Sequence, residues 1–317
     1  MRDPARALAV QSPLRYRISC GMNLFLAKRL KVPRIPAIRI ARAFNIMATP
    51  FAQMRRKRLA QDIIRERHAG TRQIVIDQRN GYAFVAADAL PEIGPAVAEA
   101  ARVYAAAAGK HALELGNQGT SRKTFMQYAA NGADTSQCRD IMKLALARPL
   151  IDAVTEYLGE VPVIGNASIL VSVPNESQVG SQLYHLDFAD EKQIKFFIYA
   201  DAVTTDNGPF TFTPAPVTGE LVKAYNYDRG RLSIEQVQKA VGADREIQVT
   251  GPAGTALLCD TSRCLHYGSN RNKTTRVVIL IQYVSLAVPE QPPVVWPVED
   301  LARDLNLDPI QKMALSL

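Results

Sequence analysis

His185 and Asp187, separated by a single residue, are side chains whose types and spacing suggest a metal site. In an extended strand, residues i and i+2 project from the same face, so this imidazole and carboxylate point together while Leu186 points away. They would supply two of the three ligands of a facial metal site. Because a single His-x-Asp also arises by chance, the pair needs support from elsewhere in the chain.

A third ligand and a fixed positive charge follow further along the sequence. His266 comes after an apolar segment that ends at Cys259, and Arg276 opens the next apolar segment. Two His and one Asp with open coordination positions suit non-haem Fe(II) oxygenase chemistry. The planar guanidinium of Arg276 matches a carboxylate, here the distal carboxylate of 2-oxoglutarate. The ordered set is far more specific than any one of its parts.

Six short motifs carry a resemblance to a known family, and they occur in the family's order: His185–Phe188, Lys195–Tyr199, Asn207–Phe210, Ala253–Thr255, His266–Gly268 and Arg276. Over roughly residues 80–284, the chain resembles the phytanoyl-CoA dioxygenase-like family of Fe(II)- and 2-oxoglutarate-dependent oxygenases. The resemblance implies a mainly β fold with flanking α-helices, built on a double-stranded β-helix, the cupin-like jelly roll. It also implies a dioxygenase with Fe(II) as cofactor and with 2-oxoglutarate and O2 as co-substrates, which releases succinate and CO2.

The resemblance assigns roles to individual residues. His185, Asp187 and His266 would be the catalytic iron ligands. Arg276 would bind the distal carboxylate of 2-oxoglutarate, together with a neighbouring hydroxyl such as that of Thr255. Related iron halogenases have a small residue where this chain has Asp187, which frees a position for chloride. The carboxylate therefore predicts a hydroxylase rather than a halogenase.

Other features leave the substrate open. Asn166, Ser168 and Gln182 are on or near predicted strands facing the site, where each could contact 2-oxoglutarate or substrate, or be a structural hydrogen-bonding group. Relatives commonly carry a Pro-Gly-Ser-His stretch where this chain has Pro214–Gly219, near the substrate entrance. Fold and metal site do not fix a substrate. We therefore give only a class of substrate, a small or lipid-like molecule. The alternative is a non-catalytic or differently metallated jelly-roll binding protein.

The net charge of +8 is concentrated at one end of the chain. Residues 1–68 contain 16 Lys or Arg and 3 acidic residues, whereas the remainder carries net negative charge. We predict a basic N-terminal arm and helix at residues 1–70, an oxygenase domain at 71–288 with its jelly-roll core at about 161–288, and a C-terminal tail at 289–317. No plausible metal ligand lies in the arm, so we predict that a chain starting near Pro50 keeps its chemistry.

The arm admits several interpretations. No run reaches the roughly 18 apolar residues of a membrane span. It could be an organellar transit-like peptide, an amphipathic arm on an anionic membrane, or a solvated extension, and Met22 is an alternative start. The basic run Arg55–Arg58 has no interleaved aromatic residues, so we expect a small-molecule partner and no nucleic acid. Four scattered Cys favour a reducing compartment, here the cytoplasm, with membrane-peripheral or organellar placement as alternatives.

Local patterns predict the elements around the site. Helices are expected at residues 50–67, 91–108 and 149–158, and short strands at 73–76 and 82–85. Most further strands follow from residue 161, interrupted by an insertion at 214–246 that has a capping-box signature at Ser233. Two minor alternatives remain. One is a zinc site formed by Cys259, Cys264 and His266, and the other is an ion pair between Arg276 and a surface acid such as Asp260.

Overall fold

The computed structural model describes residues 13–70, 73–115, 125–289 and 293–317. Within these ranges the α-helices are α1 (Leu14–Lys28), α2 (Arg34–Ala48), α3 (Pro50–Ala69), α4 (Ile93–Leu115), α5 (Arg139–Ala145), α6 (Arg148–Leu158), α7 (Ala215–Ala224), α8 (Ile234–Val241), α9 (Val298–Leu305) and α10 (Pro309–Leu315). The strands are β1 (Tyr82–Val85), β2 (Met126–Asn131), β3 (Val163–Ser172), β4 (Ile194–Tyr199), β5 (Thr211–Phe212), β6 (Ile247–Gln248), β7 (Ala256–Cys259), β8 (His266–Tyr267) and β9 (Arg276–Val284). The predicted domain boundary at residue 71 lies outside the described residues.

The strands form two antiparallel sheets, which confirms the predicted jelly-roll class with flanking helices. The larger sheet has the order β1-β7-β4-β9-β3-β2, and the smaller has the order β6-β5-β8. In the larger sheet, Phe197 of β4 lies opposite Leu257 of β7 on one side and Leu280 of β9 on the other. Neighbours in the sheets are distant in sequence, so the fold brings together segments that carry separate parts of the site.

Both faces of the larger sheet are buried, but against different partners. Tyr199 and Leu257 pack with Phe212 of the smaller sheet in the cluster between the two sheets. On the other face, Phe196 packs in a cluster that includes Ile151 of α6. Successive side chains of a strand point to opposite faces, so odd-numbered positions of β4 face the barrel interior and even-numbered positions face the helices.

Several elements lie where the sequence predicts them. α3 begins at Pro50, and α6 ends at Leu158, where Gly159 adopts a left-handed conformation with φ of 75°. At the start of α8, Ser233 accepts a hydrogen bond from the Gln236 amide, as the capping box predicts. The same insertion also contains α7, which has a proline in its first turn but no side-chain cap hydrogen bond.

The strand predicted at residues 73–76 is wrong. This segment is irregular and is not part of a strand in the structure. Ile74 and Ile76 are buried in the cluster beneath the helices, and the Ile74 carbonyl accepts a hydrogen bond from Arg67 Nη2 at 2.6 Å. The segment is therefore held by side-chain burial and by this side-chain hydrogen bond, and not by pairing with another strand.

The N-terminal helices pack against the barrel. Tyr16 OH donates to Leu286 O at 2.8 Å, and Arg56 Nη1 donates to Val161 O at 3.0 Å. Burial lowers the pKa of Arg56 to about 10. A solvated extension therefore does not describe residues 14–69. Among the described helices, none combines the length and the apolar character needed to cross a membrane.

Candidate metal centre

The two histidines meet through a reciprocal pair of backbone hydrogen bonds. His185 N donates to His266 O at 2.9 Å, and His266 N donates to His185 O at 3.0 Å. In such an antiparallel pair, the opposed side chains leave the same face, and here the ring centroids lie 4.4 Å apart. The strand predicted around His185 is reduced to two isolated bridges, Tyr184 with Leu232 and His185 with His266. The segments opposite it, at Leu232 and in the two-residue β8, are too short to form a longer ladder.

Asp187 completes the cluster. Its amide donates to Thr261 O at 2.9 Å, which fixes the backbone two residues after His185. Asp187 Oδ1 lies 4.0 Å from His185 Nε2, and Oδ2 lies 3.7 Å from His266 Nε2. One ligand atom from each of the three residues lies within 4.8 Å of the others. The structure thus brings together the three residues that the sequence predicts as metal ligands.

Both imidazoles are oriented for coordination through Nε2. His185 Nδ1 lies 2.9 Å from Leu183 O, and His266 Nδ1 lies 2.9 Å from Cys264 O. A carbonyl oxygen only accepts, so each ring must donate through Nδ1–H, which leaves the lone pair on Nε2. Burial, with the neighbouring His266 ring, lowers the pKa of His185 to about 3, and burial also lowers the pKa of His266. Two neutral imidazoles beside one carboxylate form a donor set that fits Fe(II).

Lys195 of β4 is a site residue that the sequence analysis missed. Its Nζ forms an ion pair with Asp187 Oδ2 at 2.7 Å. Burial alone would raise the pKa of Asp187, but the ammonium and the two imidazoles hold it below its usual value. Lys195 faces the site because it shares the interior face of β4 with Phe197 and Tyr199. A lysine at an interior position of an apolar strand is the signal that could have identified it.

Arg34, at the start of α2, supports the backbone of the same ligand. Its Nη1 donates to Asp187 O at 3.1 Å and to Ser262 O at 3.4 Å. The guanidinium carbon also lies 5.3 Å from the centre of the Phe188 ring. Arg34 is buried, and burial lowers its pKa. No local pattern separates this arginine from the other basic residues of the N-terminal region, so only the structure could reveal the contact.

Arg276 is a buried cation at the first position of β9. Its Nη1 donates to Gly208 O, and its Nη2 lies 3.5 Å from Ser172 Oγ. Its Nε has no hydrogen-bond partner in the described part of the chain. Burial lowers the pKa of Arg276, and Tyr199 and Asp201 offset part of that effect. A hydrogen bond with the Tyr199 side chain also engages the guanidinium, and Nε is the donor that remains without a partner.

The alternative partner for Arg276 is engaged elsewhere. Asp260 accepts hydrogen bonds from Tyr157 OH at 2.7 Å and from Ser262 N at 3.1 Å. The predicted alternative of an Arg276–Asp260 ion pair is therefore wrong. Within residues 13–70, 73–115, 125–289 and 293–317, no carboxylate lies at ion-pair distance from Arg276.

Arg276 lies near the metal ligands. A Cβ atom at Gly268, two residues after His266, would stand 3.6 Å from Arg276 Nη2 and 3.9 Å from the Phe210 ring. Phe210 in turn lies 5.4 Å from the His266 ring and stacks on Phe197 at 4.2 Å between centroids. A buried cation whose Nε keeps a free donor, close to the Phe210 ring and the triad, suits a carboxylate ligand.

The remaining predicted site residues differ in whether their hydrogen-bonding groups are already engaged within the protein. Thr255 is half-buried, and its hydroxyl donates to Pro252 O at 2.7 Å. The Gln182 amide is fully used within the protein, because Nε2 donates to Ser269 O at 2.7 Å and Oε1 accepts from Val179 N at 3.1 Å. These contacts support the structural alternative for Gln182.

Asn166 and Ser168 have unused hydrogen-bonding capacity. Asn166 Nδ2 donates to Asn131 Oδ1 at 3.2 Å, while Asn166 Oδ1 has no partner in the described chain. The buried hydroxyl of Ser168 likewise has none among the described residues. Both residues lie on β3. Because these side-chain groups have no partner, both residues keep the capacity for the ligand contacts that the sequence predicts.

The cysteines stand apart from the metal cluster. Among the described residues, the potential ligand side chains that lie close enough together to share a metal ion are those of His185, Asp187 and His266. This group does not include Cys259 or Cys264. Burial raises the pKa of the Cys259 thiol, and the neighbouring Cys264 raises it further. The zinc alternative is therefore not supported.

No protein-family model matches the chain, and the comparison with curated proteins gives no match. Among solved structures, the chain is similar to the non-heme alpha ketoglutarate dependent epimerase SnoN from nogalamycin biosynthesis, with 16% identity, coverage of 72% of this chain and 83% of that one, and a TM-score of 0.45. The corresponding values are 18%, 67%, 77% and 0.44 for EctD from S. alaskensis, and 15%, 66%, 75% and 0.42 for the non-heme monooxygenase ThoJ. Similarities at this level establish neither metal nor reaction for this chain.

Proposed function

We propose that this protein is an Fe(II)- and 2-oxoglutarate-dependent dioxygenase of the phytanoyl-CoA dioxygenase-like kind. The observation that carries the proposal is the convergence of His185, Asp187 and His266, with both Nε2 lone pairs available, in the same interior as the buried Arg276. A metal-binding scaffold alone has no need of a buried guanidinium with a free donor. The combination is what a metal-chelating dicarboxylate co-substrate requires.

Each residue has a defined task in this proposal. The two imidazoles and Asp187 would hold the iron, and backbone carbonyls fix both imidazoles in one tautomer. Bound iron would supply oxygen activation coupled to decarboxylation of 2-oxoglutarate. Arg276 would bind the distal carboxylate, and the stacked rings of Phe197 and Phe210 would exclude water from that part of the pocket.

The proposed reaction is hydroxylation of a small or lipid-like substrate. Asp187 occupies the position that a small residue takes in related halogenases, so the carboxylate favours hydroxylation. The segment Pro214–Gly219, which contains no His, includes the start of α7. Because this segment departs from the family pattern beside the proposed substrate entrance, an acyl-CoA substrate does not follow from the resemblance.

The test is to load the purified protein anaerobically with Fe(II) and 2-oxoglutarate and to measure the metal-to-ligand absorption band. We expect a band that requires both components, followed by substrate-stimulated succinate release in a screen of metabolites and lipids. Iron binding without any 2-oxoglutarate band would overturn the proposal. Such a result would favour the alternative of a jelly-roll binding protein, in which Lys195 already compensates the charge of Asp187.

A further inference from the structure

Large exposed apolar side chains are concentrated on the N-terminal helices. In the described chain, nine of the fourteen such side chains lie between residues 14 and 54, on or beside α1–α3. The most exposed are Phe51 at 85%, Met47 at 72%, and Leu14 and Met54 at 66% each. Single exposed apolar residues are ordinary, but a concentration in one short region marks a contact surface.

α1 is turned with its polar side inward. Its buried residues are Tyr16, Ser19 and Asn23, whereas Ile18 and Phe25 are exposed. The inward orientation is fixed by hydrogen bonds, since Tyr16 OH reaches Leu286 O at 2.8 Å and Ser19 Oγ reaches Pro289 O at 3.3 Å. A surface helix of a soluble domain normally shows the opposite arrangement.

The next two helices are also anchored by buried polar groups. In α2, Asn45 Nδ2 donates to Val288 O at 2.9 Å, while Ile40 is 47% exposed. In α3, Arg56 Nη2 donates to Ser316 O at 2.7 Å, while Phe51 points to solvent. These polar contacts add to buried apolar residues such as Ile38 of α2 and Ile63 of α3, and together they leave Ile40 and Phe51 on the outward side.

This surface is also basic. Residues 13–61 contain twelve Lys or Arg and no Asp or Glu. Arg34 and Arg56 are buried, and Arg39 and Arg42 pair with acidic residues of the barrel. The exposed cations outside these pairs are Arg17, Lys28, Arg29, Lys31, Arg55, Lys57 and Arg58. Several of these cations share the exposed sides with the apolar residues, such as Arg17 beside Ile18 in α1, and Arg55 beside Met54 in α3. Apolar side chains that insert among acyl chains and cations that bind anionic headgroups are the features of helices lying in a membrane interface.

We propose that the outward faces of α1–α3 form a docking surface for an anionic lipid bilayer. A second copy of the chain is a poorer occupant, because it would place the same positive charge opposite itself. A bilayer with anionic lipids satisfies both the charge and the apolar residues without such repulsion. α2, which carries part of this surface, also contacts the metal site on its inward side, where Arg34 Nη1 donates to Asp187 O.

The test is flotation of the full chain with two kinds of vesicle. One kind contains phosphatidylcholine with roughly 30 mol% phosphatidylglycerol, which gives a mildly anionic surface. The other contains phosphatidylcholine alone. We expect partition onto the anionic vesicles that weakens as salt is added. Phe25→Asn with Phe51→Asn should lower the partition constant at least about ten-fold, and each of Arg17→Gln and Lys28→Gln about five-fold. Phe84→Asn is the matched control, because Phe84 is 54% exposed against 55% for Phe25 but lies in β1.

Three outcomes would overturn the proposal. The first is no partition onto anionic vesicles, and the second is an equal loss of partition in Phe84→Asn. The third is a dimer in sedimentation velocity that Phe25→Asn with Phe51→Asn dissociates, which would assign the surface to a second copy. Circular dichroism and Fe(II) affinity of each variant show that the fold is intact, and neither readout depends on turnover.

Discussion

The barrel interior and the interface beneath the N-terminal helices bury opposite kinds of side chain. Between the sheets, apolar residues such as Leu257 and Phe212 fill the space. Beneath α1–α3, the contacts to the barrel include buried polar residues such as Ser19, Asn45 and Arg56, which hydrogen-bond to backbone carbonyls. The first interface depends on packing and the second also on directional bonds.

This difference changes how an unusual residue is interpreted in each region. In an apolar interior, a polar group that keeps a free donor, as Arg276 does, indicates a ligand. On the N-terminal helices, Ser19, Asn45 and Arg56 donate hydrogen bonds to backbone carbonyls, although the side chain of Asn23 has no partner among the described residues. The unusual group there is the apolar side chain of Phe51, which is exposed to solvent. The two regions meet at Arg34, which belongs to α2 and contacts the backbone of Asp187.

The largest expected effect tests the interior directly. His266→Ala removes one of the three ligands, so Fe(II) affinity measured anaerobically should fall by more than about 100-fold, the upper range for losses of merely supporting groups. His68→Ala is the control, because His68 is exposed and pairs with Glu156 away from the cluster. Unchanged iron content in His266→Ala would contradict the assignment of the centre.

Arg276 should affect the co-substrate and leave the metal bound. Arg276→Met removes the charge and the fork, so 2-oxoglutarate affinity should fall by roughly 10- to 150-fold, the equivalent of one charge-assisted hydrogen bond. Arg276→Lys keeps the charge without the two-pronged geometry and should lie between Met and wild type. The measurement is anaerobic titration of the absorption band, with the exposed Arg303→Met as control. Equal affinities in all variants would remove 2-oxoglutarate from the site.

Arg34 tests whether the two regions are coupled. Arg34→Gln removes the bonds to the carbonyls of Asp187 and Ser262, so Fe(II) affinity should fall by about 10-fold, as for other groups that orient a ligand. Arg39→Gln is matched, since Arg39 lies on the same helix in an exposed ion pair with Glu191. Equal iron affinity in Arg34→Gln and wild type would show that the helix is only a neighbour.

The same contact bears on truncation of the chain. The sequence alone predicts that a chain starting near Pro50 keeps its chemistry. Such a chain lacks Arg34 and the hydrogen bonds of Tyr16 and Asn45, so we now expect weaker iron binding and lower stability. Thermal unfolding and Fe(II) titration of the truncated chain would decide between the two expectations.

Lys195 should give the smallest effect, seen in thermal stability. Lys195→Met leaves the carboxylate of Asp187 without its cation in the metal-free protein, so the metal-free Tm should fall by roughly 2–4 °C for each kcal/mol lost. Added Fe(II) would then compensate more of the charge, so the Tm gain on metal binding should exceed that of wild type. Lys195→Arg, which retains a cation, should resemble wild type. The same Tm gain in Lys195→Met and wild type would separate Lys195 from the metal site.

Several features were predictable from local sequence. His185 and Asp187 share a face because extended backbone alternates its side chains, whatever the rest of the fold does. The capping box at Ser233 and the glycine that ends α6 are likewise local, since their hydrogen bonds and φ angles involve only neighbouring residues. The jelly-roll class followed from many short strands and from the ordered motifs.

Tertiary structure decided everything that depends on partners distant in sequence. His185 pairs with His266 only because the fold places the segment around His185 beside β8, where the two residues form an isolated bridge. No local pattern encodes that register. The same holds for Lys195, which reaches Asp187 only because β4 turns that face inward, and for Arg34, one of many similar cations. The outward apolar face of α1 was hidden for the same reason, since the side that a helix buries is set by its partners, here the carbonyls of Leu286 and Pro289.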